Sequence, residues 1–260
     1  MVKRGKQRLT PTQRILLWHI VLLTPALGLS LAGSSWYFLS ALAAIMVTIL
    51  TVRRLVVQRT VRIILTRSLE PAMLVGFAIA YLGLSNAIVP LPLWQQTLVL
   101  IGVFVLQLRY LLAQFRVQTV HIQSIFSIIL IILVNNVWAL IATTNGVAGF
   151  VGLLVVWIAN YVIVHFWLER TGFHNSFLAA VWSIIAVEAL WVTSMALVFY
   201  TLPGTTLVVS RSALFLVIIA YAWGSMLILH SKRKLSKRLV VEYGTICAFL
   251  LLILLVMTGQ

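Results

Sequence analysis

Nine runs of about 20 predominantly apolar residues, broken only by short polar connections, take up most of this chain. They cover residues 15–31, 36–52, 71–88, 93–112, 122–143, 147–168, 177–200, 212–229 and 240–257. A segment of that length has one thermodynamically sound home, the hydrocarbon core of a bilayer. Lipid offers no partner for backbone N–H and C=O groups, so each run must close its own hydrogen bonds as a helix. Composition agrees. With 62% hydrophobic and 9% charged residues, the chain has too little polar surface to face water as a globule. The expected fold is therefore an all-α, polytopic transmembrane helix bundle of about nine spans. Residues 1–260 form a single integral membrane domain.

Charge gives an independent reading of the same count. The 19 Lys and Arg residues far outnumber the four acids. Threading the nine runs alternately puts the basic N-terminal tail, Arg53 to Arg67, Arg109, Arg116, Arg170 and Lys232 to Arg238 on one side, and only Arg211 on the other. By the positive-inside rule that side is cytoplasmic. The N-terminus is then cytoplasmic and the C-terminus outside. The basic start of the chain reads as the flank of an uncleaved first span. The expected partners of the positive charge are anionic lipid headgroups, not nucleic acid. Cys247 lies within an apolar run and reads as a small hydrophobe.

Connections on the other side are short and rich in Gly, Pro and Asn, as antiparallel neighbours require; a longer one opens with Leu202, Pro203 and Gly204. Residues 53–67 alternate Arg with aliphatic side chains. They read as an amphipathic segment in the inner headgroup layer or as a cytoplasmic extension of the second span, with Ser68 and Pro71 opening the third.

Several chemistries are excluded by what is missing. Aspartate is absent, and Glu70, Glu169, Glu188 and Glu242 are far apart in sequence. Neither clustered carboxylates for divalent metals nor a hydrolase pair is recognisable. All five lysines fall in the tail or in the loop before the last span, so no mid-membrane Schiff base can form. The five histidines carry no i, i+3 or i+4 pairing, hence no local metal motif. No cofactor is expected. Trp18, Trp36, Trp94 and Trp167 suit interfacial belts.

One acid interrupts the middle of an apolar run: Glu188, near the centre of 177–200. A carboxyl at that depth costs about 2.5–3.5 kcal/mol to insert, and so points to function. Trp191, one turn on, is its only polar neighbour on the same helix. Asn160 lies at similar depth in the sixth run, with Asn135 and Asn136 in the fifth. Trp157, Tyr161 and His165 form a four-residue stripe beside Asn160. If the three helices are neighbours, Glu188, Trp191, Asn160, Asn135, Asn136, Tyr161 and His165 could line one ligand-binding cavity. The alternative for these groups is interhelical hydrogen bonding as packing glue.

The stretch Glu188-Ala189-Leu190-Trp191, followed by Leu202-Pro203, Ala222-Trp223-Gly224, the basic loop 232–238 and a last apolar run, resembles multi-pass membrane proteins of candidate-phyla-radiation bacteria. The likeness covers the last third of the chain. It implies a bacterial cytoplasmic membrane and an acid–Trp pair at Glu188 and Trp191, and it carries no activity. Three functions follow as expectations. The first is a non-enzymatic, transport-like bundle with an interior polar site for a small solute, proton or lipid. The second is an accessory subunit bound to a membrane protein partner. The third, with the fewest supporting residues, is an intramembrane enzyme on a lipid-linked substrate.

Overall fold

A computed structural model describes residues 10–33, 36–56, 61–113, 120–144, 146–170, 175–194, 197–231 and 233–256. Among them run nine α-helices: α1 (Pro11–Gly28), which continues as a 3-10 turn over Leu29–Ala32, α2 (Tyr37–Leu55), α3 (Val61–Ile88), α4 (Leu93–Ala113), α5 (Val120–Thr144), α6 (Gly146–Arg170), α7 (Ser176–Ser194), α8 (Arg211–Ser231) and α9 (Lys237–Val256). Seven of them, α1 to α7, are long and apolar enough to cross a membrane. Each packs against the next in sequence, as short connections dictate.

Helix α5 is the axis of the bundle and touches α3, α4, α6, α7 and α8. Phe126, Leu130, Ile131, Val134 and Trp138 of α5 are almost fully buried, and so are Leu74, Ile79 and Leu82 of α3 and Ile163 and Val164 of α6. Around this core the outward faces of α1, α2, α4 and α6 present Leu17, Phe38, Ile101 and Leu154 to the surroundings. That is the expected arrangement when lipid is the solvent. Helix α9 packs against α8 and leaves most of its residues exposed.

Helix ends follow local chemistry. Thr10 caps α1 through a reciprocal capping box with Gln13. At the opposite pole of the fold, Gly33 takes φ 133° in the connection after α1. The arginines Arg14, Arg53, Arg54, Arg67 and Arg109 are all exposed at one pole, called here the basic end.

Two departures from expectation matter for function. The third helix starts at Val61, ten residues before Pro71, so Ser68 does not cap it and Pro71 lies inside it. The proline removes one backbone donor, yet neighbouring helices let a membrane helix run through such a defect. Residues 61–67 therefore belong to α3, residues 53–55 close α2, and 57–60 lie outside the described residues.

The second departure is at the end of α7, which stops at Ser194 rather than continuing to Tyr200. Phe199–Thr201 and Val208–Ser210 instead pair as a two-stranded antiparallel hairpin, β1 and β2. Aromatic and β-branched residues favour this geometry. Leu202, Pro203, Gly204 and Thr205 form the turn: the Thr205 N–H donates to the Leu202 carbonyl at 3.0 Å, and Gly204 adopts φ 74°. Proline followed by a left-handed glycine is the signature of a type II turn.

Candidate functional site

Helix α3 runs on past Pro71 towards the basic end, so Glu70 is an interior residue, 0% exposed. It faces the last turns of α4 and α6. Arg170, the final residue of α6, forms a salt bridge with Glu70 Oε2, and its side chain is 19% exposed. The Tyr110 hydroxyl of α4 donates to the same carboxylate oxygen. That hydroxyl in turn accepts from Arg170 Nη2 at 2.6 Å. The Arg170 guanidinium carbon also sits 5.4 Å from the Tyr110 ring centroid, and Phe126 of α5 stacks on that ring at 4.1 Å. Three helices thus meet at a closed, charge-neutral triangle roofed by an aromatic pair.

The triangle leaves two groups over. Glu70 Oε1 and Arg170 Nη1 are both buried without a hydrogen-bond partner. A buried polar atom left unpaired costs about 1–3 kcal/mol, more when charged. One acceptor and one donor therefore stand together in a low-dielectric setting. The arrangement can bind a group that both donates and accepts, or can exchange a proton.

Farther from the basic end lies a second polar layer. Asn160 Nδ2 on α6 donates to Asn135 Oδ1 on α5 at 3.2 Å and to the Val156 carbonyl at 3.0 Å. Asn135 Nδ2 donates to the Ile131 carbonyl, and Asn160 Oδ1 is buried without a partner. Asn136 serves another purpose. Its Oδ1 accepts from the Ser210 N–H at 2.7 Å and its Nδ2 donates to the Val208 carbonyl at 2.9 Å. It pins the hairpin onto the bundle. The Tyr81 hydroxyl also donates to Val208, and Gln95 Oε1 accepts from Thr206.

Of the groups expected to line one cavity, Asn135 and Asn160 are together, and Asn136 is buried beside them but committed to β2. Glu188 does not join them. It is exposed on the outer face of α7, and Trp191 is 49% exposed beside it, edge-on to Phe150 at 6.2 Å. The reason is helical phase. The packed face of α7 is Ala179, Trp182, Ser183, Ala186 and Leu190. At 3.6 residues per turn, position 188 points roughly 180° away from it. Tyr161 and His165 stack on each other at 5.7 Å and are half-buried, and Trp157 is 38% exposed, so their stripe flanks α6 rather than facing its Asn160 side. Trp167 is turned inward as well. It is buried against Gly224 of α8, where a β-carbon would collide with its ring.

Glu70, Tyr110 and Arg170 are not among the residues that the sequence singles out. The available signal was a Glu and an Arg each beside an inner span end, on runs that alternate in direction. Among the described residues no group of His, Cys, Asp and Glu is arranged to hold a metal ion.

Long apolar helices packed around a buried apolar core define a multi-pass α-helical membrane protein. Comparison with protein-family models, with curated proteins and with solved structures finds no match for this chain.

Proposed function

We propose that this is a non-enzymatic, transport-like bundle of the bacterial cytoplasmic membrane, with an interior polar site for a small solute, proton or lipid. Glu70 is the group that titrates or binds, held by Arg170 and Tyr110, and Asn160 with Asn135 forms the next polar step along α6. All nine helices span the bilayer in this reading. The basic end faces the cytoplasm and its anionic headgroups, and nucleic acid is not a partner.

The observation that carries the reading is the fully buried Glu70 carboxylate with one oxygen unpaired beside an unpaired guanidinium nitrogen. An intramembrane ionisable group is expensive, and by default marks a pathway or site. A purely structural pair would be expected to satisfy both atoms.

Proton flux into proteoliposomes carrying a trapped pH-sensitive dye tests the reading. Under an imposed gradient, the wild-type protein should dissipate it faster than empty vesicles. Glu70→Gln should reduce that rate at least tenfold, and Glu188→Gln should leave it within twofold. Equal rates for wild type and Glu70→Gln would remove Glu70 from the site, and no flux above empty vesicles would remove the proton as the transported species.

A second reading, an accessory subunit, draws support from Glu188 itself. A carboxyl exposed on the outer face of an apolar helix is costly in lipid and cheaper against a polar group of another helix. Stoichiometric co-purification of a membrane partner, lost in Glu188→Leu, would favour it.

A further inference from the structure

A second set of buried polar groups joins α1, α2 and α4, on seams that Glu70 does not touch. His19 of α1 is 1% exposed and its Nδ1 lies 2.8 Å from Thr51 Oγ1 of α2. One turn back on α2, Thr48 Oγ1 accepts from Gln107 Nε2 of α4 at 2.6 Å, and Gln107 is 0% exposed. Both hydroxyl protons are already spent. Thr51 donates to the Val47 carbonyl and Thr48 to the Ala44 carbonyl, each at 2.8 Å.

That bookkeeping fixes the remaining roles. A hydroxyl that has given its proton can only accept, so His19 must carry its proton on Nδ1 and Gln107 must turn its NH2 towards Thr48. His19 Nε2 is then a bare lone pair, and Gln107 Oε1 a bare carbonyl oxygen. Both are buried without a partner. Two orphaned acceptors and no orphaned donor is a chemically one-sided arrangement. The threonines that hold them are three residues apart, about 4.5 Å along α2.

We infer that a small molecule that donates at least two hydrogen bonds binds between His19 Nε2 and Gln107 Oε1, bridging α1 to α4. Water and the ammonium ion share this donor chemistry. An anion or a carbonyl ligand does not, because it would meet two lone pairs. Apolar side chains bound the site on its basic-end flank, where Leu16, Val52, Leu55, Val56 and Leu111 form a packed cluster.

Solid-state NMR of ¹⁵N-histidine protein in lipid bilayers tests the site. His19 signals are assigned by their loss in His19→Asn. Should that variant fail to fold, replacing the other four histidines one at a time assigns the same signals by elimination. The expected result is a protonated Nδ1 and a non-protonated Nε2 in contact with exchangeable protons. In ammonium-free buffer a cross-peak from Nε2 to water protons identifies water. Replacement of that contact by one to added ¹⁵N-ammonium identifies the ion. The Gln107→Leu protein should lose the contact in either case. Protonation on Nε2, absence of any exchangeable proton near Nε2 in both buffers, or an unchanged contact in Gln107→Leu would each overturn the inference.

Discussion

Glu70→Ala and Arg170→Met should each destabilise the protein by about 3–5 kcal/mol, whereas Glu70→Leu combined with Arg170→Met should recover most of that loss. The asymmetry comes from desolvation. Removing one partner strands the other as an uncompensated buried charge; removing both leaves an apolar seam that can pack. Arg170 retains some contact with solvent, so Glu70→Ala should fall nearer the lower figure and Arg170→Met nearer the upper. The Tyr110 hydroxyl cannot rescue Glu70 alone, because it already donates to the carboxylate in the intact triangle. Reversible unfolding in mixed micelles of the wild type, Glu70→Leu, Arg170→Met and their combination closes a double-mutant cycle and gives the coupling energy directly. A coupling below about 0.5 kcal/mol would mean the pair is effectively solvated.

Asn136→Leu is expected to cost about 2–4 kcal/mol and to free the hairpin. The two bonds it removes are not equivalent. The Val208 carbonyl keeps the Tyr81 hydroxyl as a second donor, but the Ser210 N–H has no acceptor other than Asn136 Oδ1 among the described bonds, and Ser210 is 0% exposed. Leaving that N–H buried and unpaired supplies most of the penalty. Tyr81→Phe alone should cost under about 1 kcal/mol, since Asn136 still serves Val208. The double variant should exceed the sum of the two, because both donors to one carbonyl are then gone. Unfolding midpoints, together with hydrogen exchange at the Ser210 amide, check this. Exchange should accelerate in Asn136→Leu and stay slow in Tyr81→Phe.

The long apolar helices were legible because hydropathy reports the property that lipid enforces. Predicted 93–112 and 122–143 became Leu93–Ala113 and Val120–Thr144, within a few residues at each end. Azimuth was the harder problem. Depth alone singled out Glu188, but depth does not say which way a side chain points. The small and aromatic face of Ala179, Trp182, Ser183 and Ala186 carried that information, and its phase turns Glu188 outward. Glu70 was obscured by Pro71, which reads as a helix start, and by the arginines of residues 61–67, which read as interfacial. Tyr110 lies 40 residues from Glu70 and 60 from Arg170, so no local pattern in one sequence joins the three. The turn at Pro203 and Gly204 was visible, but its three-residue strands were too short to stand out from an apolar run.

Helix α7 turns its acid to the surroundings, and the interior polar centre belongs to α3, α4 and α6. Spin labels placed singly at positions 184 to 192 in a Cys247→Ser background, with accessibility to oxygen and to a water-soluble nickel chelate measured in bilayers, test it most directly. High oxygen and low nickel accessibility is expected at 184, 185, 188 and 192, with minima for both at 186 and 190. A minimum at 188 with maxima at 186 and 190 would put Glu188 back inside the bundle and contradict it.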